Sequence, residues 1–231
     1  MFFSILKLIR LPNIFTAISN IWAAVFIANG GNFPFPDVLF ATLASATLYG
    51  GGIALNDYFD RDYDKQFRPE RPIPSGSVSA RTALLIGVSL LVLGVASGFM
   101  ISLLGGVITS AIALFVLLYD GFLKRWFFPC IISMGLCRGL NWGLGLEAGG
   151  EISTRFIFFP IAIFVYIAGL TAVAKFETKK PVFKKVVVAG VLLIPLIDGS
   201  IVFAYGYWWQ GLMVCMLIVP AVIFSKIFEV S

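Results

Sequence analysis

Residues 37–64 read DVLFATLASATLYGGGIALNDYFDRDYD. An apolar run of about twenty residues, enough to cross a bilayer as one helix, ends in Asn56-Asp57-Tyr58-Phe59-Asp60-Arg61-Asp62-Tyr63-Asp64. Four aspartates thus fall within eight residues at a membrane boundary. Asp57, Asp60 and Asp64 are spaced i, i+3, i+7, so a continuing helix carries all three on one face, with Asn56 beside Asp60. Asp62 points away from that face. Three carboxylates on one face repel unless positive charge lies among them. Their oxygens suit a hard cation, and Mg²⁺ typically takes one or two protein carboxylates with the rest from water and phosphate. The stretch therefore points to a phosphate-bearing ligand. Arg68 and Arg71 follow, suited to phosphate oxygens, and Pro72-Ile73-Pro74-Ser75-Gly76 predicts a fixed turn.

The rest of the chain fits this boundary. Of 231 residues, 59% are hydrophobic and 13% charged. Mean hydropathy is +0.97. A water-soluble fold of this size needs a polar shell that this composition cannot supply. Apolar run length predicts an all-α, polytopic bundle of about eight spans, near 12–30, 37–56, 81–103, 105–120, 128–147, 156–174, 186–205 and 207–226. One transmembrane domain over 1–231 leaves no room for a soluble one. With the N-terminus inside, 15 of the 17 basic residues fall in 1–11, 57–81, 121–127, 175–185 and the C-terminal tail. The positive-inside rule then places both termini in the cytoplasm, with the acidic stretch on the same face. The N-terminus does not read as a cleavable signal peptide.

Several classes fall away. The chain has no His, which excludes His-based zinc sites and His general bases. Cys130, Cys137 and Cys215 show no paired spacing and lie in apolar runs. The net charge of +5 follows from the topology and is no sign of nucleic acid. Inside the spans, Arg138 and Asn141 share a helical face in span five, and Asp198 lies in span seven, with Arg138 a candidate partner. Charge inside a span is costly and marks a functional position by default, so Arg138 and Asn141 are expected to line a cavity. The glycines at 50–52 should permit close helix packing.

Asn-Asp-x-x-Asp-x-x-x-Asp followed by Arg-Pro-Ile-Pro-Ser-Gly resembles the first aspartate-rich motif of UbiA-type intramembrane prenyltransferases. Arg10-Leu11-Pro12-Asn13 and Tyr119 with Lys124-Arg125 are weaker matches. The resemblance implies an all-helical bundle around a central cavity open to the cytoplasmic side. It also implies Mg²⁺-dependent transfer of a prenyl group from an isoprenoid diphosphate to an aromatic or other lipophilic acceptor. Asn56, Asp57, Asp60 and Asp64 would hold the metal and diphosphate. Arg68, Arg71 and Lys124 would contact phosphate oxygens, and Tyr119 would lie near the reacting carbon. The location implied is the cell inner membrane.

The second half departs from the family. Where a second Asp-x-x-x-Asp motif is expected, the chain reads Ala172-Val173-Ala174-Lys175-Phe176-Glu177-Thr178-Lys179-Lys180, one acid among three lysines. Tyr119 and Lys124 are five residues apart rather than four, and a ninth span is missing. Lys175 and Lys179, at i and i+4, could meet a diphosphate by direct charge. In this the chain resembles the EboC-like branch more than the quinone-pathway enzymes. A second reading follows, of a non-catalytic relative that binds or translocates a prenylated or phosphorylated lipid precursor.

Overall fold

The structure, a computed structural model, describes residues 2–150, 152–176 and 181–228; Glu177, Lys179 and Lys180 lie outside the described residues. Among the described residues all regular structure is helical. The order is α1 (Phe2–Leu8), α2 (Leu11–Ala28), α3 (Asp37–Phe59), α4 (Arg61–Phe67), α5 (Ala80–Ile101), α6 (Leu103–Gly121), a 3-10 turn (Leu123–Arg125), α7 (Phe127–Ala148), α8 (Phe158–Ala174), α9 (Pro181–Ala204), α10 (Trp208–Met216) and α11 (Ile218–Ser225). In lipid a spanning backbone must satisfy its own polar groups, which selects helix for these apolar runs.

The eight expected spans correspond in place to α2, α3, α5, α6, α7, α8, α9 and the pair α10–α11. Six of them are long and apolar enough to cross a membrane: Leu11–Ala28, Asp37–Phe59, Ala80–Ile101, Leu103–Gly121, Val182–Ala204 and Trp208–Ser225. Phe158–Ala174 is apolar but shorter, and α7 carries Arg138, Asn141 and Glu147. Two boundaries differ from the expectation. The break between α5 and α6 falls at Ser102 rather than Gly105-Gly106, because Ser102 Oγ caps α6 by accepting from the Gly105 N–H at 2.9 Å. The last span is divided at Leu217, three residues before Pro220, whose ring nitrogen cannot donate to the carbonyl of Met216.

Helix packing uses missing side chains. A Cβ on Gly51 of α3 would lie 2.9 Å from the Gly87 carbonyl of α5, so only glycine admits that approach. Buried Ile21, Val25, Leu48, Leu55, Ile112 and Leu144 form one core cluster. Phe26, Trp142, Ile163, Ile194 and Val202 form a second, to which α2 also contributes, and Leu8, Ala54, Val78 and Ala83 form a small third. Outward-facing Leu85, Val92, Met100, Leu103, Leu117 and Val165 are exposed, as lipid contact permits.

Helix α1 touches both the segment after α4 and the residues after α11. Lys7 Nζ donates to the Glu70 carbonyl at 2.9 Å, and the Phe3 and Phe228 ring centroids lie 6.4 Å apart. The turn after Arg71 is fixed as its Pro and Gly content predicts. Val78 N–H donates to Pro72 O at 3.0 Å, and Gly76 takes the left-handed φ of 75°.

Candidate functional site

The helix of α3 nearly continues into α4, with Asp60 at the joint. Asp60 N–H donates to Asn56 O at 2.9 Å, and Asp64 N–H to Asp60 O at 2.8 Å. The aspartates therefore share a side as their spacing predicts. Asp62 is turned out, its side chain 88% exposed beside Arg61.

The four expected metal ligands do not form one cage. Asp57 accepts from Arg10 Nη2 at 3.3 Å and from Arg71 Nη1 at 3.2 Å. Asp64 accepts from the same Arg71 nitrogen at 2.7 Å. Asp60 pairs with Lys124. Asn56 Nδ2 donates to Asp120 Oδ1 at 2.8 Å. Among the described residues no three Cys, Asp or Glu side chains are grouped to hold an ion. Like charges on one helical face need counter-charge, and the chain supplies it from Arg10, Arg71 and Lys124. Arg71, expected to face phosphate, is buried and commits Nη1 to two carboxylates.

Asp120 was not legible as a site residue, and Arg10 stood out only as part of the weak Arg10-Leu11-Pro12-Asn13 match. Asp120 is 3% exposed at the end of α6. Its only sequence signal is a lone acid ending an apolar run beside Tyr119. Arg10 has a left-handed φ of 46°, unlike every other non-glycine among the described residues. That conformation costs about 1–2 kcal/mol, and it aims the side chain at Asp57 ahead of Pro12. Burial pulls the Arg10 guanidinium below its ordinary value, and Asp57 pulls it back up.

These groups border a cavity of about 850 Å³, within the size range of small-molecule sites. Asn56, Asp60, Arg68, Arg71, Tyr119, Lys124, Arg138 and Lys175, all singled out from sequence, line it. It shares Arg10, Tyr49, Asn56, Tyr119, Asp120, Met134 and Arg138 with an inner pocket of about 190 Å³, walled by Leu48, Ile53, Ile112 and Val116 and containing Asn141. A charged mouth thus leads into an apolar interior. Lys175, ending α8, reaches the mouth from the opposite side and donates from Nζ to Lys124 O at 2.7 Å.

Arg138 lies deeper. It donates to Thr16 O at 2.9 Å, Thr16 Oγ1 at 2.9 Å and Asn20 Oδ1 at 3.0 Å. Its guanidinium lies 4.9 Å from the Tyr49 ring centroid. Asn141 Nδ2 donates to Ala17 O at 2.9 Å. Asp198 accepts from Ser19 Oγ at 2.6 Å, Asn20 Nδ2 at 2.8 Å and Trp142 Nε1 at 3.4 Å. Arg138 and Asp198 therefore meet through Asn20 rather than directly.

Two buried carboxylate oxygens, Asp64 Oδ1 and Asp120 Oδ2, have no hydrogen-bond partner. Such orphaned oxygens are costly unless something positive meets them, and a hard cation is the partner they suit. Asp60 and Asp120 line the cavity while Asp64 lies behind it, so the oxygens have the chemistry that Mg²⁺ takes but are not gathered into one cage.

A model of the UbiA prenyltransferase family matches residues 17–229. The chain is 30% identical over 169 residues to a digeranylgeranylglyceryl phosphate synthase of Ignicoccus hospitalis, covering 71% of this chain and 55% of that protein. It is 32% identical over 147 residues to the Methanothermobacter thermautotrophicus protein of that name, covering 64% and 51%. The chain spans about half the length of these curated relatives. In structure it resembles a UbiA homologue from Archaeoglobus fulgidus bound to GPP and Mg²⁺, with a TM-score of 0.66 at 20% identity over 97% of this chain and 86% of that one. A structure of digeranylgeranylglyceryl phosphate synthase gives a TM-score of 0.69 at 19% identity, covering 97% and 92%. At such identities the likeness shows the fold.

Proposed function

The chain belongs to the UbiA prenyltransferase family, and from that premise we propose that it is a membrane prenyltransferase, moving a prenyl group from an isoprenoid diphosphate to a lipophilic acceptor. One observation carries the reading. A single cavity joins a mouth of arginine, lysine and carboxylate side chains to an apolar interior reached through Tyr49 and Tyr119. That arrangement suits a ligand with a polyanionic head and a hydrocarbon body. The named relatives and the GPP- and Mg²⁺-bound neighbour support it.

Transfer breaks the allylic C–O bond, and its electron pair leaves with the diphosphate. Arg68 and Lys124 at the mouth would neutralise the charge that builds on that leaving group. Arg10 and Arg71 hold Asp57 and Asp64 in place behind them. Tyr49 and Tyr119 line the passage between mouth and interior, where an aromatic ring would favour the positive charge that develops on carbon. Apolar walls exclude water, which would otherwise capture the cation. Asn56, Asp60, Asp64 and Asp120 would hold Mg²⁺, which supplies charge neutralisation on the diphosphate when bound. The basic segments gathered at the mouth support a cytoplasmic site with both termini on that side, in a single transmembrane unit of a cell inner membrane. We leave the acceptor at its class, lipophilic.

The test uses purified protein, radiolabelled prenyl diphosphates of several chain lengths, Mg²⁺ and membrane lipid extract as acceptor. Release of pyrophosphate with appearance of a prenylated lipid is expected. Tight diphosphate binding without release would sink the transferase reading in favour of a protein that binds or translocates a phosphorylated lipid precursor. The observation that favours this second reading is Lys175, which stands where the family's resemblance implies an acid.

A further inference from the structure

The walls of the large cavity are chemically unequal. On one side α3, α4 and α6 supply Asn56, Asp60 and Asp120, with Asp57 and Asp64 close behind. The facing side, from α8 and α9, is apolar through Ile167, Leu170, Val187 and Val191. Among the described residues, the charged group on that side is Lys175, and no carboxylate accompanies it. Among the described residues, the carboxylates that line the cavity thus belong to one wall.

Lys175 is also placed for a ligand. Its Nζ sits 2.7 Å from Lys124 O, while the Lys124 ammonium pairs with Asp60. A line of contacts therefore runs from the end of α8, over the 3-10 turn, to the acidic wall. An ammonium carries three N–H donors. One goes to Lys124 O, and the other two have no protein partner among the described residues. A compact, rotatable point charge with spare donors suits a phosphate oxygen, although it cannot bridge two phosphates as a metal ion can.

We propose that Lys175 is a diphosphate-binding residue that supplies by direct charge what a metal ion would supply on the α8 side, so that this site works with one divalent cation per diphosphate. The assignment rests on the prenyl-transfer reading for the nature of its ligand. The competing role for Lys175 is a plain tether of α8 to the 3-10 turn. Lys175→Gln separates the two, since glutamine keeps an N–H donor for Lys124 O and loses the charge.

The experiment titrates inorganic pyrophosphate into the purified full chain in detergent by calorimetry, and counts bound Mn²⁺ by electron paramagnetic resonance with and without pyrophosphate. Wild type is expected to hold one Mn²⁺ per pyrophosphate. Lys175→Gln and Lys175→Ala are expected to bind pyrophosphate roughly tenfold to a hundredfold more weakly, the size of a charged hydrogen bond, with steeper loss in the wild type as salt rises. Lys175 is exposed at a helix end, so thermal unfolding should be unchanged and any loss belongs to binding. Wild-type affinity in Lys175→Gln, or two Mn²⁺ per pyrophosphate in the wild type, would overturn the assignment. One-metal binding that depends on Lys175, without prenyl transfer to any acceptor, would leave it standing while the transferase reading fails. No binding of pyrophosphate by the wild type would remove both.

Discussion

Two clusters in this molecule are built from similar groups and differ in what they leave unfinished. Around Asn20, Asp198 is fully buried and both its oxygens accept hydrogen bonds, from Ser19, Asn20 and Trp142. Arg138, joined through Asn20, is likewise engaged by Thr16 and Tyr49. At the mouth, Asp64 and Asp120 are as deeply buried, yet each keeps one oxygen without a partner. A satisfied polar network inside a membrane fixes helices α2, α7 and α9 against one another. A network with orphaned oxygens beside an 850 Å³ cavity is arranged for something that must arrive. The contrast separates a cluster whose carboxylate is fully hydrogen-bonded from one whose carboxylates are not, where residue type alone does not.

The comparison can be broken most severely at Arg71. Arg71→Ala leaves Asp57 and Asp64 buried with less counter-charge, and breaking a buried pair this way costs about 3–5 kcal/mol. Thermal unfolding in detergent should show it, and an unshifted transition would mean that the carboxylates are not charged there. Next in size, Asp60→Ala should lower prenyl transfer on the order of 100-fold or more, the scale of losing one preorganised electrostatic group, while unfolding stays near wild type because Asp60 is partly exposed.

A pair of isosteric changes sharpens the contrast. Asp198→Asn places an NH₂ among three donors and should cost about 1–3 kcal/mol of stability, with activity per folded molecule retained. Asp120→Asn should do the reverse, leaving stability unchanged and weakening Mg²⁺-dependent pyrophosphate binding in calorimetry. Identical behaviour of the two variants would erase the distinction between the clusters. The smallest effect belongs to Asp62→Ala, which should change neither activity nor unfolding within about 0.5 kcal/mol, as for exposed positions. A loss matching that of Asp60→Ala would refute the orientation of α4.

Much of the site was legible because it is local. The i, i+3, i+7 spacing put Asp57, Asp60 and Asp64 on one side and Asp62 on the other, and α3 and α4 keep that arrangement. The turn after Arg71 followed from its proline and glycine. The partners of these residues were not legible. Asn56 meets Asp120 across 64 positions, and Arg10 reaches Asp57 across 47. Arg71, read as a phosphate contact, spends itself on Asp57 and Asp64.

The sequence by itself determined that the chain lives in a membrane, because 13% charged residues cannot coat a soluble fold. It also determined the helical period of the acidic face and the alternation of apolar runs with basic segments, since hydropathy, periodicity and charge order are properties of neighbours along the chain. Only the tertiary structure decided which charges neutralise one another and which carboxylate oxygens remain open. It alone brought Lys175 over the Lys124 carbonyl. The physical reason is that Coulomb and hydrogen-bond energies depend on distance in space, and in a bundle the nearest group is usually on another helix.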